Sequence, residues 1–226
     1  MRVTFKRRKP DKAMMNVSLV IPAYNEAEHL PELLTSIPSV VNEVIVVDDG
    51  SSDETALIAK NNGAILVQHG KNKGKGISMV SGTHRATGDI VVFMDADLQH
   101  HPADIEKLVA PMLKGSADLT IGVRTLGFRK EMPPQRRLTN FLGNLLVYLR
   151  IKTWISDTQS GFRAVRKEFL DKMEFKSQRY EIEIEMLLWA YRLGMHIEEV
   201  PIKVKYGKEK SHWKVRNLFR VFKILY

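Results

Sequence analysis

Apolar residues fall in short uninterrupted runs through the first half of this chain and in helical stripes through the second. Residues 17–23, 44–48, 65–68 and 90–94 are strands by their β-branched, nearly continuous apolar character. Segments 26–37, 53–62, 76–87 and 103–113 read as the helices between them. Repeated strand-helix-strand units build a mostly parallel sheet with helices on both faces, because a parallel crossover needs a helix to return. Residues 119–122 add a further strand. A basic loop over 126–134, broken by Gly127 and Pro133-Pro134, changes the pattern. Beyond it Leu138, Leu142, Leu145 and Leu149 mark a helix with one apolar stripe. A helix over 181–193 buries Ile182, Met186, Trp189 and Leu193, and a last strand runs over 197–204. No repeat and no long linker interrupts this order, so the chain is expected to be one α/β domain.

Length and composition support that expectation. At 226 residues with 44% apolar side chains, the chain can bury a full core. It has no cysteine, which excludes disulfides and thiolate metal sites and agrees with a reducing compartment. No apolar run approaches the ~20 residues of a spanning helix, and the polar start lacks the core of a signal peptide.

Charge is unevenly distributed. The net charge is +9, but residues 1–12 carry +5 and residues 203–226 carry +7, which leaves the body mildly acidic at −3. Such ends favour an anionic surface as partner, a membrane leaflet or a nucleic acid. The ends are read as a basic extension over 1–14 and a basic amphipathic helix over 213–226, flanking a domain over 15–212. In that helix Leu218, Phe219, Phe222 and Tyr226 recur at helical spacing, Lys214, Arg216, Arg220 and Lys223 take the other positions, and Trp213 precedes them.

The strand over 90–94 ends in Asp95-Ala96-Asp97-Leu98-Gln99. Open α/β sheets bind ligands at the C-terminal ends of their strands, so both carboxylates arrive where a ligand would lie. Oxygen ligands suit a hard divalent cation that keeps positions for water and phosphate oxygens. As a lone motif, Asp97 serves equally well as the cap of the next helix. The first strand delivers Pro22-Ala23-Tyr24-Asn25-Glu26 to the same edge, and the second delivers Asp48-Asp49-Gly50-Ser51-Ser52-Asp53. Asp53 and Glu54 are explained by helix capping, whereas Asp48 and Asp49 are not. The segment Gly70-Lys71-Asn72-Lys73-Gly74-Lys75-Gly76 lacks P-loop spacing, but Lys73 and Lys75 are candidates for phosphate contact. Glu181, Glu183 and Glu185 are expected to be solvated or paired with arginine.

These segments, taken in order with Ser160-Gly161-Phe162-Arg163, resemble family 2 glycosyltransferases of the GT-A (Rossmann-like) fold, and among them the dolichyl-phosphate mannose synthase-like branch. The resemblance covers about residues 16–212. It implies that Pro22, Tyr24 and Glu26 border the nucleotide with Asp48, and that Asp49 contacts the base. Asp95, with Ala96, would lie by the ribose and diphosphate, and Asp97 with Gln99 would hold Mg²⁺ or Mn²⁺. Lys75 and Arg163 would assist the phosphates, although Arg163 paired to Asp157 for structural reasons is the alternative. Arg124, Arg136 and Asn140 would form the acceptor-phosphate site, with Lys208 and Lys210 adding charge after the last strand. The chain departs from the pattern at Asn140, where Ser or Thr is usual, and at Lys208-Glu209-Lys210-Ser211-His212, where G-x-S-K is common.

The implied activity is inverting transfer of a hexose from a nucleotide sugar, GDP-mannose first, to a polyprenyl phosphate. UDP-glucose or UDP-N-acetylglucosamine as donor, or a hydroxyl group of a glycan as acceptor, are the near alternatives. A phosphate acceptor is already an oxyanion and needs no general base, whereas a hydroxyl acceptor does. A nucleic-acid-binding protein would leave the converging acids idle, and a nucleotidyltransferase would want a glycine-rich loop where Tyr24-Asn25-Glu26 stands. The expected setting is peripheral, on the cytoplasmic face of a membrane, with no transmembrane helix in the chain and no nucleic-acid partner.

Overall fold

The computed structural model describes residues 15–124 and 134–204, with the backbone alone over 134–140. Seven strands form one sheet: β1 (Val17–Ala23), β2 (Glu43–Asp48), β3 (Ile65–Gln68), β4 (Ile90–Phe93), β5 (Leu119–Arg124), β6 (Arg163–Arg166) and β7 (Ile197–Ile202), in spatial order β3-β2-β1-β4-β6-β5-β7. Every pairing is parallel except those of β6, which runs antiparallel between β4 and β5. The register is continuous across the centre, with Val20 opposite Ile45 on one side and Phe93 on the other.

Helices α1 (Leu30–Thr35), α2 (Thr55–Asn61) and α4 (Asp104–Leu113) cover one face of the sheet. Helices α3 (Lys75–Arg85), α5 (Pro134–Ile151), α6 (Lys167–Leu170) and α7 (Ile182–Arg192) cover the other. The period of two sorts each strand between them: Ile90 and Val92 join the first core, Val91 and Phe93 the second. Because both faces are covered, all four residues of β4 are buried, which is why the central strand reads as an unbroken apolar run.

The strands and most helices fall where the hydrophobic pattern puts them. Two differences matter. Helix α1 begins at Leu30, because residues 26–29 are held in turns by backbone bonds such as that from Leu30 N to the Glu26 carbonyl. Strand β6 is absent from the pattern-based reading: Arg-Ala-Val-Arg is too short to show a period, and its strand state comes from the two neighbours whose edges it fills. The basic segment over 1–14, the domain limit at 212 and the helix expected over 213–226 lie outside the described residues.

Candidate active site

Strands β1, β2, β4, β5 and β7 point the same way, so their C-terminal ends share one edge of the sheet. The loops after β1 and β2 are laced together there. Ser51 Oγ accepts from Asn25 N at 2.9 Å, Asn25 Oδ1 accepts from Ser52 N at 2.9 Å, and Asp53 accepts from Ala27 N at 3.1 Å. Asn25 takes a left-handed φ of 56°, a conformation that asparagine tolerates better than most side chains. Pro22 is half-buried, Tyr24 stands exposed on the rim, and Glu26 turns back to the His29 ring at 2.9 Å.

Asp48 and Asp49 shape this wall from inside. Asp48 is fully buried, accepting from Ser51 N at 2.9 Å and Gln68 Nε2 at 3.1 Å. Its side chain is therefore removed from the set expected to meet a ligand: a carboxylate with no exposed surface and both oxygens bonded holds the turn. Asp49, also buried, binds Lys73 N at 2.9 Å, Gly74 N at 2.7 Å and the His69 ring at 2.7 Å. It anchors the lysine-rich loop on the wall of the cleft.

That loop delivers Lys75 to the centre. Its ammonium lies 2.6 Å from Asp95 Oδ1 and 2.9 Å from Glu183 Oε1, with the Tyr180 ring 5.6 Å away. Burial alone would lower the Lys75 pKa, but the two carboxylates outweigh it and raise it above the ordinary lysine value. Burial opposes charge on Asp95 as well, yet the adjacent ammonium holds its carboxyl below the usual range. Glu183, deeper, is pushed up by burial, with Lys75 opposing the shift. The expected solvated role of the three acids around the start of α7 is corrected here: Glu181, Glu183 and Glu185 are all buried. Glu183 pairs with lysine, and Glu185 accepts from the backbone N–H groups of Lys176 and Ser177. For Glu183 the signal was present in the sequence, since at helical spacing it falls between the apolar Met186 and Leu187 and away from the side shared by Glu185 and Arg192.

Asp97 and Gln99 sit in the turn after β4, where Leu98 has a φ of 57° and Gln99 N donates to Asp97 Oδ1 at 3.1 Å. The donor set is a carboxylate and an amide oxygen, both half-buried at the sheet edge. No group of three histidine, aspartate or glutamate ligands surrounds a point among the described residues. Two oxygen ligands on an accessible edge fit Mg²⁺ or Mn²⁺, which keep positions for water and phosphate, and would not fit a closed structural site. The Ala96 side chain is not part of the surface expected: it is buried in the core behind the turn.

Arg124 ends β5 on the same edge, half-buried, with Nε 3.2 Å from Asp157 Oδ2. Its charge is felt at Asp95 and at His100, a buried ring stacked on Phe162 at 5.1 Å, whose pKa burial pushes down to about 4, so that it stays neutral. His100 was not singled out in the sequence. The expected phosphate contact of Arg163 is overturned. This side chain is 0% exposed and donates to the carbonyls of Ser160, Glu183 and Thr158. Asp157, its suggested partner, has its ion pair with Arg124, although its field also reaches Arg163. Arg136 and Asn140 fall within α5, but their side chains lie outside the described residues, as do Lys208 and Lys210.

The Glycosyl transferase family 2 model matches residues 18–174. A UDP-N-acetylglucosamine--dolichyl-phosphate N-acetylglucosaminyltransferase of Methanococcus voltae is 32% identical, the match covering 93% of each chain. A dolichol-phosphate mannosyltransferase of Pyrococcus furiosus is 31% identical over 94% of this chain and 63% of its own length. Among solved structures, glucosyl-3-phosphoglycerate synthase from Mycobacterium tuberculosis, crystallised with Mn²⁺, UDP-glucose and phosphoglyceric acid, superposes with a TM-score of 0.77 at 27% identity, covering 98% of this chain and 85% of that one. Sheet order, loop chemistry and these relatives agree, and the chain belongs to glycosyl transferase family 2, as a hexosyltransferase with the GT-A fold.

Proposed function

We propose that this enzyme moves a hexose from a nucleotide sugar to a polyprenyl phosphate at a membrane surface, inverting the anomeric centre by direct displacement. The observation that carries the phosphate acceptor is the Lys75 ammonium bound to both Asp95 and Glu183. A hydroxyl acceptor needs a base poised near neutrality, and a carboxylate held below its usual range by an ammonium at 2.6 Å is a poor one. A phosphate monoester brings its own negative oxygen. Arg124 offers the forked guanidinium that such an oxygen favours, and Asp157 fixes its direction. Both curated relatives described above carry dolichyl or dolichol phosphate in their names.

On the donor side Asp95 faces the ribose and diphosphate, while Tyr24 and Glu26 border the nucleotide. Asp49 acts there through the lysine-rich loop it anchors. Asp97 and Gln99 would hold Mg²⁺ or Mn²⁺, which when bound supplies positive charge to the departing nucleoside diphosphate. GDP-mannose is the first donor to test. A uridine nucleotide sugar is the second reading, favoured by the match over 93% of both chains to the Methanococcus voltae enzyme and by UDP-glucose in the structural neighbour.

A membrane surface as partner is supported by α5. Phe141, Leu142, Tyr148 and Leu149 are exposed on it, and exposed Trp154 lies about 6 Å from the Phe141 and Tyr148 rings. Exposed Arg150 and Lys152 flank the patch, a combination suited to an anionic leaflet on its cytoplasmic side. No described helix is long and apolar enough to cross a membrane. The deciding experiment incubates the protein with Mn²⁺, a short polyprenyl phosphate and GDP-mannose, UDP-glucose or UDP-N-acetylglucosamine in turn. A lipid product heavier by one hexosyl or N-acetylhexosaminyl unit is expected from one donor, and its absence with all three refutes the reading.

A further inference from the structure

Lys75 has two anionic partners, and only one faces the cleft. Asp95 comes from the end of β4, whereas Glu183 comes from the first turn of α7 and is almost fully enclosed. Around the ammonium the walls are close. A Cβ added to Gly161 would lie 2.6 Å from both Lys75 Nζ and Asp95 Oδ2, so the chain passes the ion pair at a distance only glycine allows. Arg163 donates to the backbone carbonyl of Glu183 and to those of Thr158 and Ser160, locking the start of α7 to the loop that carries Gly161. Beyond the backbone of Gly76, Gln178 closes the start of α3 by accepting from Gly76 N at 2.9 Å.

Stability alone gives little reason for this arrangement. A buried carboxylate costs desolvation that its ion pair seldom exceeds, and an apolar residue would pack α7 at least as well. What the carboxylate adds is a fixed position for a flexible four-carbon chain. With Asp95 as sole partner, the Lys75 ammonium would follow that side chain or swing toward a donor diphosphate. Bound to the enclosed Glu183 as well, it is held back from both.

We infer that Glu183 is a positioning residue of the transfer reaction: through Lys75 it holds the Asp95 carboxylate in the orientation in which the donor meets it. The inference rests on the reading of Asp95 as donor-facing. It also gives the Ser160-Gly161-Phe162-Arg163 segment a task, which is to hold the back of this relay and not to touch phosphate.

The test compares wild type with Glu183→Gln, Lys75→Gln and the double variant in the donor panel with Mn²⁺. In Glu183→Gln, with its thermal midpoint near that of wild type, kcat should fall about tenfold or more while the acceptor KM stays within about twofold, as expected for a misplaced group. The double variant should be no slower than Lys75→Gln, because the effect of Glu183 passes through that lysine. Wild-type kcat in folded Glu183→Gln, or losses that multiply in the double variant, overturns the inference. Should Glu183→Gln fail to fold, Glu183→Asp keeps the charge but withdraws it by one methylene. A partial loss of kcat is then expected, and wild-type kcat overturns the inference. A wild type that transfers from none of the donors refutes the acceptor reading, and this inference is then read from calorimetry of the same three nucleotide sugars with Mn²⁺. Affinity in Glu183→Gln about fivefold or more below wild type supports it, and equal affinity overturns it.

Discussion

At Asp97 the proposed function depends on one oxygen carrying charge. Asp97→Asn keeps size and an oxygen for the bond from Gln99 N, but turns the second oxygen into an NH2 donor and removes the charge that holds a divalent cation. Transfer should fall by about a hundredfold or more, and nucleotide-sugar affinity measured in Mn²⁺ should weaken, while wild type in excess chelator should behave alike. Full activity in either case would remove the cation from the site. Arg124 tests the other side of the cleft. Arg124→Ala should raise the KM for polyprenyl phosphate by roughly 10- to 100-fold, the range of a charged hydrogen bond, and leave the donor KM nearly unchanged. Because that variant also removes the ion pair with Asp157, Asp157→Asn is the control. An equal rise in donor KM would assign Arg124 to the donor phosphates instead.

Among the elements, β1, β2 and the turn into β4 are tied by one carboxylate far from the cleft. Glu43 accepts from Ser18 Oγ at 2.5 Å, Thr87 N at 2.6 Å and Thr87 Oγ1 at 3.0 Å. Burial works against its charge, but these bonds prevail and its pKa lies below the ordinary glutamate value. A carboxyl lowered in the folded state makes its full contribution above the unfolded value of 4.5 and loses it as pH falls through the folded value. Glu43→Gln should therefore cost about 1–2 kcal/mol at pH 7 in urea unfolding, and the gap to wild type should close as pH drops below 4.5. A gap that stays constant into acid would show that shape, not charge, ties these strands.

For the whole molecule, the charge split between two basic ends and a mildly acidic body is what tests the proposed membrane contact. Wild type should pellet with anionic vesicles and be released as salt rises, since exposed charges are screened beyond about 8 Å at physiological ionic strength. Deleting 213–226 should weaken pelleting while nucleotide-sugar binding is retained, because the cleft residues described above all lie before position 204. Transfer to a water-soluble short-chain acceptor should survive the deletion better than transfer to a long one in membranes. Unchanged pelleting refutes the role of the basic end.

Every strand but β6, the mostly parallel direction and the edge that receives Asp95 and Asp97 follow from the sequence alone, because buried strands must be apolar and parallel strands must share their ligand-binding ends. Which side chain touches which did not. Lys75 reads as a phosphate ligand from its glycine-rich loop, Asp48 as a ligand contact from its position at the end of β2, and Arg163 as either phosphate ligand or partner of Asp157. Each is decided by residues 20 or more positions away: Asp95 and Glu183 for Lys75, Gln68 for Asp48, the Glu183 carbonyl for Arg163. Strand β6 shows the same limit, being four residues made into a strand by the edges of β4 and β5. Periodicity records burial along one segment, but charge pairing and strand insertion are set by distances between segments, and only the folded chain brings those segments together.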